Sequence, residues 1–172
     1  MKTAEFYISK IQDYNNWKTR KVLGIKTGTV PVWYFSIHMG WWDDGDDPFS
    51  NQWERFSMQL GQVVPLEDKC YIMGDFNSPS QIPSEGYDYV SSYGWKDTWQ
   101  MAEKRDSGIT VGKVIDGWKE RLGSEDVVNG MRIDYIWCNR EVAVSNSKVI
   151  CNGSNYPIVS DHYGVLIEVD EE

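Results

Sequence analysis

The sequence predicts a layered α/β or α+β fold in one domain, and three observations carry that prediction. Several runs rich in β-branched and aromatic residues are bounded by turn formers, about two stretches read as helices between them, and no repeat, low-complexity tract or linker divides the chain. Its 172 residues, 41% hydrophobic and 14% aromatic, supply enough apolar surface for one buried core and argue against disorder.

The elements follow in order. Residues 22–25 and 30–39 are β-rich runs separated by Lys26-Thr27-Gly28-Thr29, a composition that favours a tight turn and hence a hairpin, so His38 is expected at a strand end. The acidic, Gly- and Pro-containing stretch 43–48 reads as a loop. Asn51 and Glu54 then stand at capping-box spacing. Trp53, Phe56, Leu60, Val63 and Val64 follow on one helical face, an amphipathic helix whose aromatics belong to the core. Residues 70–73 form a short apolar strand that runs into Gly74-Asp75-Phe76-Asn77, and Ser78-Pro79 ends regular structure there. Ile133, Tyr135 and Trp137 alternate with Asp134, Ile136 and Cys138, the period of a strand with two distinct faces. Residues 142–150 and 165–169 read as further strands, and Ser160-Asp161-His162 occupies the turn before the last of them.

Charge narrows the function. Lys and Arg total 17 against 26 Asp and Glu, a net charge of −9, and no basic run is present, so the chain disfavours nucleic acid and anionic membrane surfaces as partners. Small phosphorylated substrates, which a few placed cations can hold, pass this filter best. Cys70, Cys138 and Cys151 show no CxxC spacing and cannot all pair with one another, which fits a reducing compartment. No stretch approaches the roughly 18 apolar residues of a membrane span, and the first residues lack the apolar core of a signal peptide, so a cytoplasmic location is expected.

The chemistry-bearing residues are few. Asp75 and Asn77, two apart at a strand end, project to one side and can converge on one centre. There a carboxylate can accept a proton from water or bind a hard cation, and an amide can donate to a phosphoryl oxygen. The alternative is an ordinary Asp/Asn turn. Both histidines, His38 and His162, fall at strand ends beside polar turns, where imidazole can exchange protons near neutrality or be an unremarkable surface group. Asp134, flanked by apolar residues, needs a partner. Arg132 on the same strand would supply a structural ion pair, whereas His162 would be fixed in tautomer and held as imidazolium. Together with Asp161, this oxygen-rich, sulfur-poor set favours Mg²⁺ or Mn²⁺ over structural zinc.

The ordered series Ser36-Ile37-His38, Gly74-Asp75-Phe76-Asn77, Arg132-Ile133-Asp134-Tyr135 and Ser160-Asp161-His162 resembles the endonuclease/exonuclease/phosphatase superfamily, the fold of deoxyribonuclease I, from about residue 20 to the end. The resemblance implies a four-layer sandwich of two packed β-sheets flanked by helices. It also implies catalytic roles for His38, Asp75, Asn77, Asp134 and His162. His38 and His162 would bind or protonate the phosphoryl group, Asp75 would orient the attacking water, Asn77 would hold a phosphoryl oxygen, and Asp134 would orient His162. Asp161 would support the metal site. Within the superfamily, His38-Met39-Gly40-Trp41-Trp42, Gly86-Tyr87, Thr110-Val111 and Ile115-Asp116-Gly117-Trp118 look like the bacterial branch that includes maltose 6′-phosphate phosphatases. That likeness makes Trp41, Trp42 and Trp118 candidates for a sugar-stacking wall, and Lys113, Lys119 and Arg20 candidate phosphate contacts.

One departure stands out. Members of the superfamily carry an Asn and a metal-binding Glu on strands before the first His motif, and residues 1–37 hold no match, with Glu5 a poor candidate. Residues 1–172 are therefore expected to be the C-terminal two-thirds of one such domain, with a sheet edge open to self-association as a homodimer. The functions in play are a metal-dependent phosphomonoesterase on a sugar phosphate, a nuclease, and a catalytically incomplete binding fragment.

Overall fold

Alternation of side chains from Lys21 onward builds the first hairpin. In a computed structural model, which describes residues 1–112 and 129–170, β2 (Lys21–Thr27) and β3 (Val32–His38) pair antiparallel across a turn at Gly28, whose φ of +84° suits glycine. Trp33, Phe35 and Ile37 of β3 point into the core, while Tyr34, Ser36 and His38 point out. A strand not anticipated from the sequence, β1 (Lys2–Tyr7), lines the outer edge of β2.

From β3 the chain crosses over through α1 (Phe49–Val63) to β4 (Lys69–Asp75), which lies parallel to β3. The expected Asn51/Glu54 capping box does not form. The helix starts two residues before Asn51, Pro48 occupies the cap without a side-chain bond, and Asn51 lies inside the first turn. The buried stripe Phe49, Gln52, Trp53 and Phe56 faces the sheet, where Trp53 packs on Phe56 and Phe76 at ring distances of 5.2 and 6.5 Å. Such aromatic pairs contribute about 0.5–1.5 kcal/mol each beyond their area burial, and Trp33, Trp53, Trp95 and Trp137 all lie in this core.

After α2 (Gly86–Ser92) come the short β5 (Lys96–Asp97), α3 (Thr98–Met101) and β6 (Lys104–Arg105). β7 (Asp134–Cys138) then pairs antiparallel with β4, completing a six-stranded mixed sheet ordered β1-β2-β3-β4-β7-β5. β8 (Val144–Ile150) and β9 (Gly164–Val169), with β6, form a second, three-stranded mixed sheet. The two sheets meet where Tyr71, Met73 and Ile136 look toward Ile167 and Val169 across a groove of about 370 Å³. Farther along the same face Leu23 stays 53% exposed. Among the described residues no helix is long and apolar enough to cross a membrane. Lys113, Trp118, Lys119 and the motif Ile115-Asp116-Gly117-Trp118 lie outside the described residues.

Candidate active site

Strand register assembles the site. His38 ends β3 directly opposite Asp75 at the end of parallel β4, and Asp75 in turn faces Asp134 at the start of antiparallel β7. Close approach of β3 and β4 depends on Gly74, which has φ +140° and where a Cβ would fall 2.0 Å from the Ile37 carbonyl oxygen. His162 arrives from the other sheet, just before β9. Its Nδ1 lies 2.9 Å from Asp134 Oδ2, and His38 Nε2 lies 3.4 Å from Asp75 Oδ2. One potential ligand atom from each of Asp75, Asp134 and His162 falls within 4.8 Å of the others.

Asn77 is locked beside this cluster. It adopts the left-handed conformation at φ +44°, which Asn tolerates. Its backbone N–H donates to Asp75 Oδ1 at 2.7 Å, and its side-chain amide donates to the Met39 carbonyl at 2.8 Å. Arg132 does not partner Asp134. It makes a buried 2.6 Å ion pair with Asp97 and stacks its guanidinium against Trp99 and Tyr135, so the bland reading of Asp134 as half of an Arg132 pair fails. Strand alternation does not reveal that partner, because Asp97 is 35 positions away.

Sequence reasoning missed Thr110 as a support of the site. Its buried hydroxyl oxygen accepts from the backbone N–H of both Ile133 and Asp134 at 3.2 Å, and its carbonyl accepts from Tyr163 N–H at 2.7 Å. One residue thus ties the Asp134 strand to the segment that carries His162. The Thr110-Val111 likeness marks the residue in the sequence, but its bonds to Ile133 and Asp134 span 23 and 24 positions and leave no trace in the local spacing.

Electrostatics differentiates the two imidazoles. Desolvation, reinforced by the Arg20 and His162 charges, lowers His38 to about 4. With 55% of that side chain still meeting solvent, the useful consequence is its neutral state at pH 7, so the His38–Asp75 contact is not an ion pair there. For His162, burial alone would lower the pKa. The Asp134 charge and hydrogen bond, with help from Asp75 and Asp161, outweigh it and raise the value above that of a free imidazole. Burial likewise pushes Asp75 up to about 6, against the stabilising Asn77 N–H and with the Asp134 charge adding to the rise.

The other sequence-derived positions are distributed around this core. Asp161 is exposed, accepts from the Ser160 hydroxyl at 3.1 Å and stands outside the three-residue cluster. Trp42 packs edge-on to Tyr89 and tilted on Phe49, at the margin of the core. Trp41 is 40% exposed. Arg20 is half-buried, donates to the Trp17 carbonyl at 3.1 Å, and its charge acts on Asp75. Glu5 is engaged by Lys21.

Two carboxylates and two imidazoles of opposed proton affinity converge at the ends of strands from two packed sheets, an arrangement able to exchange protons and to offer oxygen and nitrogen donors to a cation. The chain belongs to the endonuclease/exonuclease/phosphatase family, whose sequence model matches residues 4–162; members of that family are hydrolases and phosphatases. No curated protein sequence matches it. Among solved structures, the chain is similar to an endonuclease/exonuclease/phosphatase family protein from Leptotrichia buccalis, with 29% identity and TM-score 0.81 over 99% of this chain and 61% of that one. It shares its fold with a mannosyl-6-phosphatase from Bacteroides thetaiotaomicron, at 17% identity and TM-score 0.68 over 99% of this chain and 66% of that one. It also shares it with D. rerio TDP2 in complex with a single-strand DNA product, at 14% identity and TM-score 0.57 over 99% and 68%. The chain thus spans 61–66% of the length of the first solved structures it matches.

Proposed function

We propose that this chain carries the catalytic centre of a Mg²⁺- or Mn²⁺-dependent phosphomonoesterase acting on a small phosphorylated substrate, a sugar phosphate such as maltose 6′-phosphate. The observation that carries the reading is the Asp134–His162 pair, 2.9 Å long and within one cation's reach of Asp75. Asp134 fixes the His162 tautomer and favours its imidazolium, which places a proton donor toward the phosphoryl group. Asp75, ionised above about pH 6, orients the attacking water. Neutral His38 and the remaining N–H of the Asn77 amide supply further hydrogen bonds to phosphoryl oxygen.

Asp75 and Asp134 offer oxygen donors with the His162 imidazole close by, a set suited to a hard divalent cation, so the residues present fit the group. Such a cation would neutralise charge developing on the phosphoryl oxygens. A net charge of −9 supports a small substrate over a polyanionic strand, and the sugar phosphatase among the similar structures points the same way.

The test is phosphate release from maltose 6′-phosphate in Mg²⁺, run beside nicking of supercoiled DNA. His162→Ala is expected to lower kcat about 10²–10⁴-fold without loss of the folded circular-dichroism spectrum, and Asp134→Asn nearly as much. DNA nicking without phosphate release, or unimpaired turnover by either variant, would overturn the reading.

A further inference from the structure

Two loops, residues 8–20 and 41–48, stand beside the strand-end cluster and enclose a cleft of about 340 Å³, at the lower end of the ~300–1,000 Å³ that ligand-sized clefts occupy. Its floor is built rather than incidental. Buried Gln52 accepts from Gly40 N–H and donates to the Asp47 carbonyl, each at 2.8 Å, and a Cβ at Gly40 would come within 2.4 Å of the Gln52 amide nitrogen. The loops are clamped to each other. Lys10 N–H donates to Asp47 Oδ2 at 2.7 Å, and the Lys18 ammonium reaches Asp46 at 3.5 Å and Asp44 at 3.9 Å. The cleft joins the active site through Arg20, whose charge acts on both Asp44 and Asp75, and through Met39, next to Gly40, whose carbonyl holds the Asn77 amide.

The lining balances Lys10, Lys18 and Arg20 against Asp44, Asp46 and Asp47. A polyanion would meet three carboxylates there, and an apolar group would desolvate the Lys18–Asp44, Lys18–Asp46 and Arg55–Asp47 pairs with no hydrogen bond in return. Hydroxyl groups, each both donor and acceptor, suit such an alternation of charged donors and acceptors. One residue before the lining Lys18, the Trp17 indole is 77% exposed with the Lys18 ammonium 5.7 Å from its ring centre, a flat apolar surface joined to the polar lining through that ammonium.

We infer that this cleft binds the sugar ring of the substrate, with Lys18, Asp44 and Asp46 taking its hydroxyls, Trp17 its apolar face, and Arg20 the junction with the phosphate. The assignment rests on the phosphomonoesterase reading above and deepens it, because it places sugar selectivity in the 8–20 loop and not in the Trp41, Trp42 and Trp118 wall expected from the sequence.

The experiment compares kcat/KM for glucose 6-phosphate with kcat/KM for phenyl phosphate in the full chain. In Trp17→Ala, Lys18→Ala and Asp44→Asn the ratio is expected to fall about 10- to 100-fold, with Trp17→Phe close to wild type. A ratio that stays constant in all of them overturns the cleft assignment. If wild type hydrolyses neither ester, the phosphomonoesterase reading fails and the cleft is decided separately by glucose 6-phosphate titration in ¹H–¹⁵N NMR. Shifts at the Trp17 indole and Gly40 amide that vanish in Lys18→Ala uphold it, and their absence in wild type overturns it.

Discussion

At the scale of single residues, Thr110 and Asp75 show how the site is held and what holding it costs. Thr110→Val removes the acceptor of the buried Ile133 N–H and the part-buried Asp134 N–H, and a buried N–H left unsatisfied costs about 1–3 kcal/mol. Denaturant melts should show that loss, and the NMR-titrated pKa of His162 should fall because Asp134 is no longer fixed beneath it. Thr110→Ser keeps the oxygen and should restore both; an unchanged His162 titration in the Val variant would leave Thr110 a purely structural residue. Asp75 works against stability. Its carboxyl is raised from 3.8 to about 6 in the folded state, so the unfolded chain ionises first. The stabilising contribution of the protonated acid is complete below about pH 4 and is lost as pH rises through 6. Asp75→Asn is therefore expected to stabilise the metal-free protein by about 2–3 kcal/mol at pH 7 and by nothing near pH 3.5. Urea melts in chelator across that range read the difference, and a gain that grows toward acid pH would contradict the sign.

At the scale of elements, the six-stranded sheet shows two kinds of position. Asp97 sits where β5 meets α3, caps the helix by accepting from Trp99 N–H at 3.0 Å, and neutralises buried Arg132. Asp97→Ala strands that cation and should cost about 3–5 kcal/mol in a chemical melt. A loss under about 1 kcal/mol would mean water reaches the guanidinium. On the opposite face of β2, Leu23 is 53% exposed, and Leu23→Lys should change stability by no more than about 0.5 kcal/mol. The helix α1 makes a related point. Its apolar spacing is visible in the sequence because every turn of helix repeats it, while its start is not, because Pro48 caps it without a side-chain signal and Asn51 with Glu54 imitates one.

At the scale of the whole molecule, a three-stranded sheet covers only part of a six-stranded one, and β9 is an edge among the described residues. The open β9 edge shares a groove with Tyr34, and exposed Leu23 continues that face of the larger sheet, together a surface for self-pairing. Sedimentation velocity should show concentration-dependent association that Leu23→Lys weakens, and a monomer throughout would remove the homodimer expected from the sequence. The amino-acid sequence by itself determined the layered class, the main strands, the ordered motifs and the acid, amide and imidazole chemistry, because side-chain period and residue type are local properties. Only the tertiary structure decided that His162 pairs with Asp134 from 28 positions away, that Arg132 belongs to Asp97, that Asp161 stands outside the three-residue cluster and that Thr110 joins the two halves. Those choices depend on how β3, β4 and β7 register and how the second sheet docks, and pairing between distant segments leaves no trace in the spacing of either one.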